Sequence, residues 1–226
     1  MTVGFRVNTS VTRPDAKLLQ RFAAPHSADL CDVMNKAGAV DCAIRAVYAP
    51  MKKVVGPAVT VSAPTGALNI VKEAMQQTRP GDVLVVNARG NPTYALVGGN
   101  VCRGLAKRGL AALIIDGAVR DVSEIQEDGL AVYARGLATL SGPLDGPGEV
   151  NVPVACGHVV VNPGDIIVAD ADGVVVIPPA DAEAVLAAVA ALEASHAALQ
   201  PVLLRGEVTN IAAIEQKLRD QGCEFR

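Results

Sequence analysis

The sequence predicts a single α/β domain, and three observations lead there. Half of the residues are apolar, but there are only three Phe, three Tyr and no Trp. The core must therefore be built from Ala, Val, Leu and Ile, as in parallel or mixed sheets covered by helices. Runs of β-branched residues of strand length alternate with amphipathic stretches of helix length. No linker divides the 226 residues, a length that can bury one large core, so the domain is drawn over 1–226.

Taken in order, Pro14 and Asp15 open a helix over 17–22, with Thr12 as its cap. Ser27 caps a second helix over 28–36, which stops at Gly38. Val55, Val59 and Val61 alternate along a strand over 54–63, and an amphipathic helix follows over 67–77. Arg79-Pro80-Gly81-Asp82 is a turn; a strand over 83–86, a polar loop through Gly90 and Pro92, and a helix over 100–108 come next. Gly109 closes that helix and 110–115 is a buried strand, so this unit is a parallel strand–helix–strand with a right-handed crossover. A loop over 116–121 leads to a short helix at 122–127 and a strand at 131–134. The Gly- and Pro-rich stretch 136–149 reads as an ordered loop. Strands at 152–155, 159–161, 165–169 and 174–177 have hairpin spacing. Helices over 180–200 and 210–220 close the chain. Residues 80–90 and 163–173 echo each other as turn, buried strand, polar loop and glycine, with no third copy.

Composition excludes some functions. A net charge of −3 offers no basic face for phosphates, and the scarcity of aromatics leaves no platform for stacking bases, so no nucleic-acid role is expected. No run of 18 apolar residues and no apolar stretch in 1–10 appear, which predicts a cytoplasmic chain without a membrane role. Cys31, Cys42, Cys102, Cys156 and Cys223 are odd in number and lack a Cys-x-x-Cys pair, so reduced, mostly buried thiols are expected.

The chemistry concentrates in two segments. Gly98-Gly99-Asn100-Val101 stands at a helix start, where free N–H groups and glycines can cradle a carboxylate; the same glycines also suit a tight strand-to-helix turn. Asp116, Arg120, Asp121 and Glu124 follow the next strand, at the sheet edge where α/β ligands bind. An Arg beside an Asp can divide labour, guanidinium on a substrate carboxylate and carboxylate on a hard cation, or it can be a surface ion pair. Adjacent parallel strands would bring both segments together around a small 2-oxo acid and a divalent metal. His26 and His158 read as ordinary polar positions, and Asp170 and Asp172 as a hairpin turn.

With the Ile-Asp-Gly-Ala-Val-Arg-Asp run at 115–121, the segments 26–38, 80–86, 108–121, 154–157 and 163–178 make the chain resemble the 4-hydroxy-4-methyl-2-oxoglutarate and 4-carboxy-4-hydroxy-2-oxoadipate aldolases and the regulator of ribonuclease activity A. That resemblance implies a swivelling β/β/α domain, phosphohistidine-domain-like, assembled as a trimer or dimer of trimers with active sites between subunits. It implies that the helices of 180–226 pack on a neighbouring subunit. It assigns Mg²⁺ or Mn²⁺ to Asp121, the pyruvate oxygens to Arg120, the pyruvate carboxylate to the backbone of Asn100 and Val101, and a loop-fixing role to Asp116. Two positions depart from the aldolase pattern: Gly99 stands where an acidic residue is usual, and His196, with Glu193 one turn earlier, where a neighbour's glutamate is usual. The candidates for the catalytic base are thus Glu124 and His196.

The function expected from this resemblance is metal-dependent cleavage of a 4-hydroxy-2-oxo acid to pyruvate and a second oxo acid, with oxaloacetate decarboxylation as a side activity. Its competitors are a non-catalytic ribonuclease regulator that binds a protein partner and a related lyase or hydrolase with another substrate.

Overall fold

The computed structural model describes residues 3–226, so Met1 and Thr2 of the expected 1–226 domain lie outside the described residues. The strands are β1 (Arg6–Val7), β2 (Arg45–Ala46), β3 (Val54–Ser62), β4 (Val83–Val97), β5 (Ala112–Val119), β6 (Ala131–Leu137), β7 (Glu149–Val150), β8 (Val154–Cys156), β9 (Val159–Val161), β10 (Ile166–Ala169) and β11 (Val174–Ile177). The helices are α1 (Ala16–Arg21), α2 (Ser27–Val33), α3 (Leu68–Gln77), α4 (Gly99–Lys107), α5 (Val122–Asp128), α6 (Ala182–Leu203) and α7 (Ile211–Asp220).

The main sheet runs β1-β7-β3-β4-β5-β6-β2, with β3, β4, β5 and β6 parallel. The first half of β3 pairs antiparallel with β10, which pairs with β11. Strand alternation sorts side chains into layers. Leu84, Val86, Leu113 and Ile115 face a core shared with α3, α4 and α5. Val83, Val85 and Ile114 face a second core closed by β8 to β11. Ile166 and Val168 turn away from that core to meet Phe22, Leu30 and the start of α6. The result is helix, sheet, sheet and helix around Val-, Leu- and Ile-rich interiors.

The internal echo has a physical basis. In each copy the aspartate is buried and accepts the N–H three residues back: Arg79 N–H to Asp82 Oδ2 at 2.7 Å, and Asn162 N–H to Asp165 Oδ2 at 2.7 Å. Gly81 and Gly164, at φ +88° and +91°, complete the turns. Asp82 also receives a bidentate pair from Arg13, at 2.9 and 2.7 Å. Breaking a buried pair by removing one partner costs about 3 kcal/mol or more. Arg13→Met is therefore expected to lower the melting temperature by roughly 5–10 °C; an unchanged melting curve would show that Asp82 does not need its partner.

Several boundaries differ from expectation. Asp15, not Thr12, caps α1, its carboxylate accepting Lys17 N–H. Ser27 is the first residue of α2, and its N–H and hydroxyl both donate to buried Asp170 at 2.9 and 2.5 Å. The helix ends at Val33, and Asn35 and Lys36 take left-handed conformations. The polar loop expected after residue 86 is strand: β4 runs 15 residues because β5 continues to pair with Asn91, Ala95 and Val97 across register shifts. For the same reason Asp116 and Gly117 lie in β5 instead of a loop. Of the thiols expected to be buried, Cys42 and Cys223 are exposed. Helix α6, with its preceding turn, is long and apolar enough to cross a membrane by length and composition alone. Its first half packs on the chain's own core through Ala182, Val185, Leu186 and Val189, and much of the remainder is exposed.

Candidate active site

Parallel pairing of β4 with β5 places Gly98 and Arg120 at the same sheet edge, where Arg120 N–H donates to the Val97 carbonyl at 3.2 Å. Helix α4 starts at Gly99 with Gly98 as a cap that has no side chain to offer. That role passes to Asp121, whose Oδ2 accepts the Gly99 N–H at 3.0 Å. Asp121 occupies the cap position of α5, but its carboxylate does not cap α5. It sits in the left-handed region at φ +63°, a conformation that costs a non-glycine residue roughly 1–2 kcal/mol. In this conformation the carboxylate reaches across to α4.

The glycines leave room for these groups. A Cβ built on Gly98 would fall 2.5 Å from Asp121 Oδ2 and 3.0 Å from Arg120 Cγ. One built on Gly99 would fall 2.5 Å from Glu124 Oε2. Gly98 is extended at φ −139°, so glycine is needed there for space and not for backbone conformation. Arg120 Nε lies 3.6 Å from Asp121 Oδ2, and its Nη1 reaches the Thr139 carbonyl at 3.5 Å. The Val101 N–H is already bonded to the Gly98 carbonyl at 3.1 Å, and among the described residues the Asn100 N–H has no acceptor. Cys102 follows in the same turn; burial pushes its thiol up to about 12, so it stays protonated and unreactive at neutral pH.

Gly98, Asn100, Val101, Arg120 and Asp121 line one cleft of about 430 Å³, within the range of small-molecule sites. Its far wall is Leu68 and Lys72 of α3 with the 141–144 loop. That wall was not legible as part of the site, because Leu68 and Lys72 precede the glycines by more than twenty residues and the 141–144 loop is separated from Asp121 by a helix and a strand. The only sequence signal was that Leu68 and Lys72 share a helix face at i, i+4.

The remaining candidates lie around the cleft or away from it. Gly99 and Glu124 sit beside it without lining it, and Arg103 Nη2 holds Glu124 at 3.3 Å. Asp116 is buried, accepting from Arg135 Nε at 2.6 Å and from the Gly157 N–H at 2.9 Å, so it ties β5 to β6 and the β8–β9 turn. His196 lies on α6 with Nδ1 3.9 Å from Asp29, and the structure does not bring it to this chain's own cleft. His26 is the cap residue of α2, and His158 is exposed, 3.5 Å from Asp41. Asp170 and Asp172 form the β10–β11 turn, where Asp170 accepts the Asp172 N–H.

Among the described residues no group of three or more His, Cys, Asp or Glu side chains converges, so the site does not fit a closed metal cage. It does fit a magnesium-type cation, which takes one or two carboxylates and fills its other positions with water and ligand oxygens. Asp121 is 40% exposed, and its Oδ1 has no protein donor among the described residues.

Comparison with known proteins identifies the family. A putative 4-hydroxy-4-methyl-2-oxoglutarate aldolase of Halalkalibacterium halodurans is 40% identical over 116 residues, 51% of this chain and 55% of that protein. The chain thus spans about half the length of that relative. A putative 4-hydroxy-4-methyl-2-oxoglutarate aldolase 3 of Arabidopsis thaliana is 32% identical over 150 residues, 64% of this chain and 89% of that protein. Streptomyces coelicolor RraAS2, described as an unusual member of the RNase ES inhibitor RraA family, superimposes with a TM-score of 0.72 at 27% identity, covering 87% of this chain and 98% of its own. An uncharacterized Pseudomonas syringae protein shares the fold, with a TM-score of 0.75 at 22% identity over 87% of this chain and 96% of its own. The family model described as RraA-like, Aldolase/RraA, matches residues 27–176, a span that holds both segments of the cleft, and the chain therefore belongs to that family.

Proposed function

We propose that this chain is a divalent-cation-dependent lyase that cleaves a 4-hydroxy-2-oxo acid to pyruvate and a second oxo acid, and that it also decarboxylates oxaloacetate. The relatives named as aldolases support carbon–carbon bond cleavage. The observation that carries the reading is the strained Asp121, its carboxylate turned to the first N–H of α4 and flanked by Arg120 in a cleft of ligand size.

The Asn100 N–H, without an acceptor among the described residues, would receive the 1-carboxylate at the positive end of α4. Arg120 stands beside the 2-oxo oxygen. When a base takes the proton from the 4-hydroxyl, the 4-oxygen becomes a carbonyl, the C3–C4 bond breaks and its electron pair leaves an enolate on the 2-oxygen. The Arg120 guanidinium holds that charge until C3 is protonated and pyruvate leaves. Mg²⁺ or Mn²⁺, held by Asp121 and water when bound, supplies Lewis-acid charge in the same place. Glu124, close to Gly99, is the base candidate within one chain; His196 serves only if α6 reaches a neighbouring copy's cleft, as a trimer or a dimer of trimers would allow. Loss of CO₂ from oxaloacetate leaves the same enolate and needs no base.

The reading is tested by pyruvate release from 4-hydroxy-4-methyl-2-oxoglutarate and from oxaloacetate, with Mg²⁺ and with EDTA. Turnover of oxaloacetate that EDTA abolishes and Mg²⁺ restores is expected. An intact assembly that turns over neither substrate in Mg²⁺ or Mn²⁺ would remove the lyase. The similarity to RraAS2 favours a second reading, a regulator that binds a ribonuclease without catalysis. Inhibition of a ribonuclease by a chain with no lyase activity would establish it.

A further inference from the structure

Strands β5 and β6 pair in one register up to Ile115 and Ala134, and in another from Ala118 and Gly136 onward. Between the two, Asp116 and Gly117 face the single residue Arg135, which makes a β-bulge. The pairing of β5 with β4 breaks at the same place, stepping from Asn87 to Asn91 between Asp116 and Gly117. Gly117 has no room for a side chain, since a Cβ there would fall 2.7 Å from the Ala88 Cβ. Beyond the bulge each β5 residue meets the β6 residue one place earlier than the first register would give, a displacement of about 3 Å. In that register Ala138 N–H donates to the Val119 carbonyl at 3.1 Å, and Arg120 and Asp121 follow directly.

A closed ring of contacts holds the residue opposite the bulge. The Arg135 guanidinium donates from Nε to Asp116 Oδ1 at 2.6 Å and from Nη1 to Asp41 Oδ2 at 2.9 Å. The other Asp116 oxygen accepts the Gly157 N–H at 2.9 Å, and the Gly157 carbonyl accepts the Asp41 N–H at 3.0 Å. Asp41 is fixed in turn by the Ala43 N–H, at 3.0 Å. The ring thus joins the segment after α2, β5, β6 and the β8–β9 turn, and it sets two carboxylates, one of them buried, against one guanidinium. Apolar side chains often fill such a place without loss of stability, and buried ionic groups are best attested as devices that fix register. Among the described residues that line the cleft, none belongs to the ring.

We propose that Arg135 is a positioning residue for the cleft: by gripping Asp116 and Asp41 it holds the β5 bulge, and the bulge sets where Arg120 and Asp121 emerge from the sheet. A guanidinium suits this task because its fork reaches two carboxylates at once. Loss of the grip frees β5 to continue in its first register, a shift of about 3 Å, where a misplacement of roughly 1 Å already costs about 10²-fold in rate. That the placed groups perform lyase chemistry rests on the function proposed above; the placement itself does not.

Arg13→Met serves as the control, because it breaks another Arg–Asp pair at the opposite end of the sheet, where β4 begins. Arg135→Met, Arg135→Lys and Arg13→Met are compared in the intact protein by oxaloacetate decarboxylation in Mg²⁺, by melting curves and by amide hydrogen exchange over 117–121, with 112–115 as internal reference. Arg135→Met is expected to lower kcat about 100-fold and to speed exchange over 117–121 about tenfold relative to 112–115. Arg13→Met, with a comparable fall in melting temperature, should leave kcat within about threefold and the exchange ratio unchanged. Arg135→Lys keeps the charge but grips one carboxylate at a time, so it should fall between, and it carries the comparison if Arg135→Met does not fold. Losses of kcat as large in Arg13→Met as in the Arg135 variants, or an exchange ratio unchanged in those variants, overturn the positioning role. If the wild-type protein decarboxylates nothing, the decarboxylase reading falls and the exchange ratio alone decides the role of Arg135.

Discussion

Replacing Asp121 by asparagine is expected to reduce pyruvate release from oxaloacetate by a factor of about 10³, with the fold intact. The side chain is exposed on one side and its neighbour Arg120 is also exposed, so little packing is lost. Asparagine tolerates the left-handed backbone almost as well as aspartate does, and its carbonyl oxygen can still accept the Gly99 N–H. What disappears is the negative charge that would hold a cation, and losing one preorganised electrostatic group costs about 10²–10³ in rate. Asp121→Gly sharpens the test. It removes strain of roughly 1 kcal/mol but also the carboxylate that accepts the Gly99 N–H, a cap worth about as much, so the melting temperature should stay within a few degrees while activity is lost. Stability that holds as activity vanishes marks a residue kept for function. Full activity in Asp121→Asn would show that the carboxylate holds no cation.

The adjacent glycines should respond very differently to the same added methyl group. At Gly98 it would fall 2.5 Å from Asp121 Oδ2 and 3.0 Å from Arg120 Cγ, so both groups must leave their places. Gly98→Ala is expected to lower kcat/KM about 100-fold, the order of losing one well-placed electrostatic group. At Gly99 the closest atom is Glu124 Oε2 at 2.5 Å, the far end of a side chain 48% exposed that can swing out at the cost of its Arg103 contact, although its Cβ at 3.1 Å must also give slightly. Alanine at a helix start is otherwise well tolerated. Gly99→Ala should therefore cost less than about tenfold if Glu124 is not the base, and more if it is. Equal losses at the two positions would mean that the cleft tolerates neither substitution for a common reason, such as helix displacement, which the circular dichroism spectrum and melting curve would reveal.

Much of the scaffold was legible because burial on two faces leaves a plain signature. The run Val83-Leu84-Val85-Val86 is apolar throughout, and its residues alternate between two separate cores. The Pro-Gly-Asp turns at 80–82 and 163–165 were readable as a repeated local solution, because glycine conformation and the aspartate bond depend on residues within the turn. The continuation of β4 through Asn87, Arg89, Gly90, Asn91 and Pro92 was not, since polar residues there form strand only because β5 lies alongside. The shift of Asp116 from an expected loop into a buried strand has the same origin.

By itself the sequence determined the α/β class, the pairing of the two parallel strands that carry the site, and the residue types offered there: glycines before a helix, and an arginine beside an aspartate. These follow from short-range periodicity and from groups that function only at strand ends. Only the tertiary structure decided what each group does. It turned the Asp121 carboxylate away from its own helix and onto α4, kept His196 beside Asp29, and brought α3 and the 141–144 loop to line the same cleft as Arg120. Those outcomes depend on contacts between segments far apart in the chain, whose geometry is fixed by long-range packing and backbone bonds and not by any local pattern.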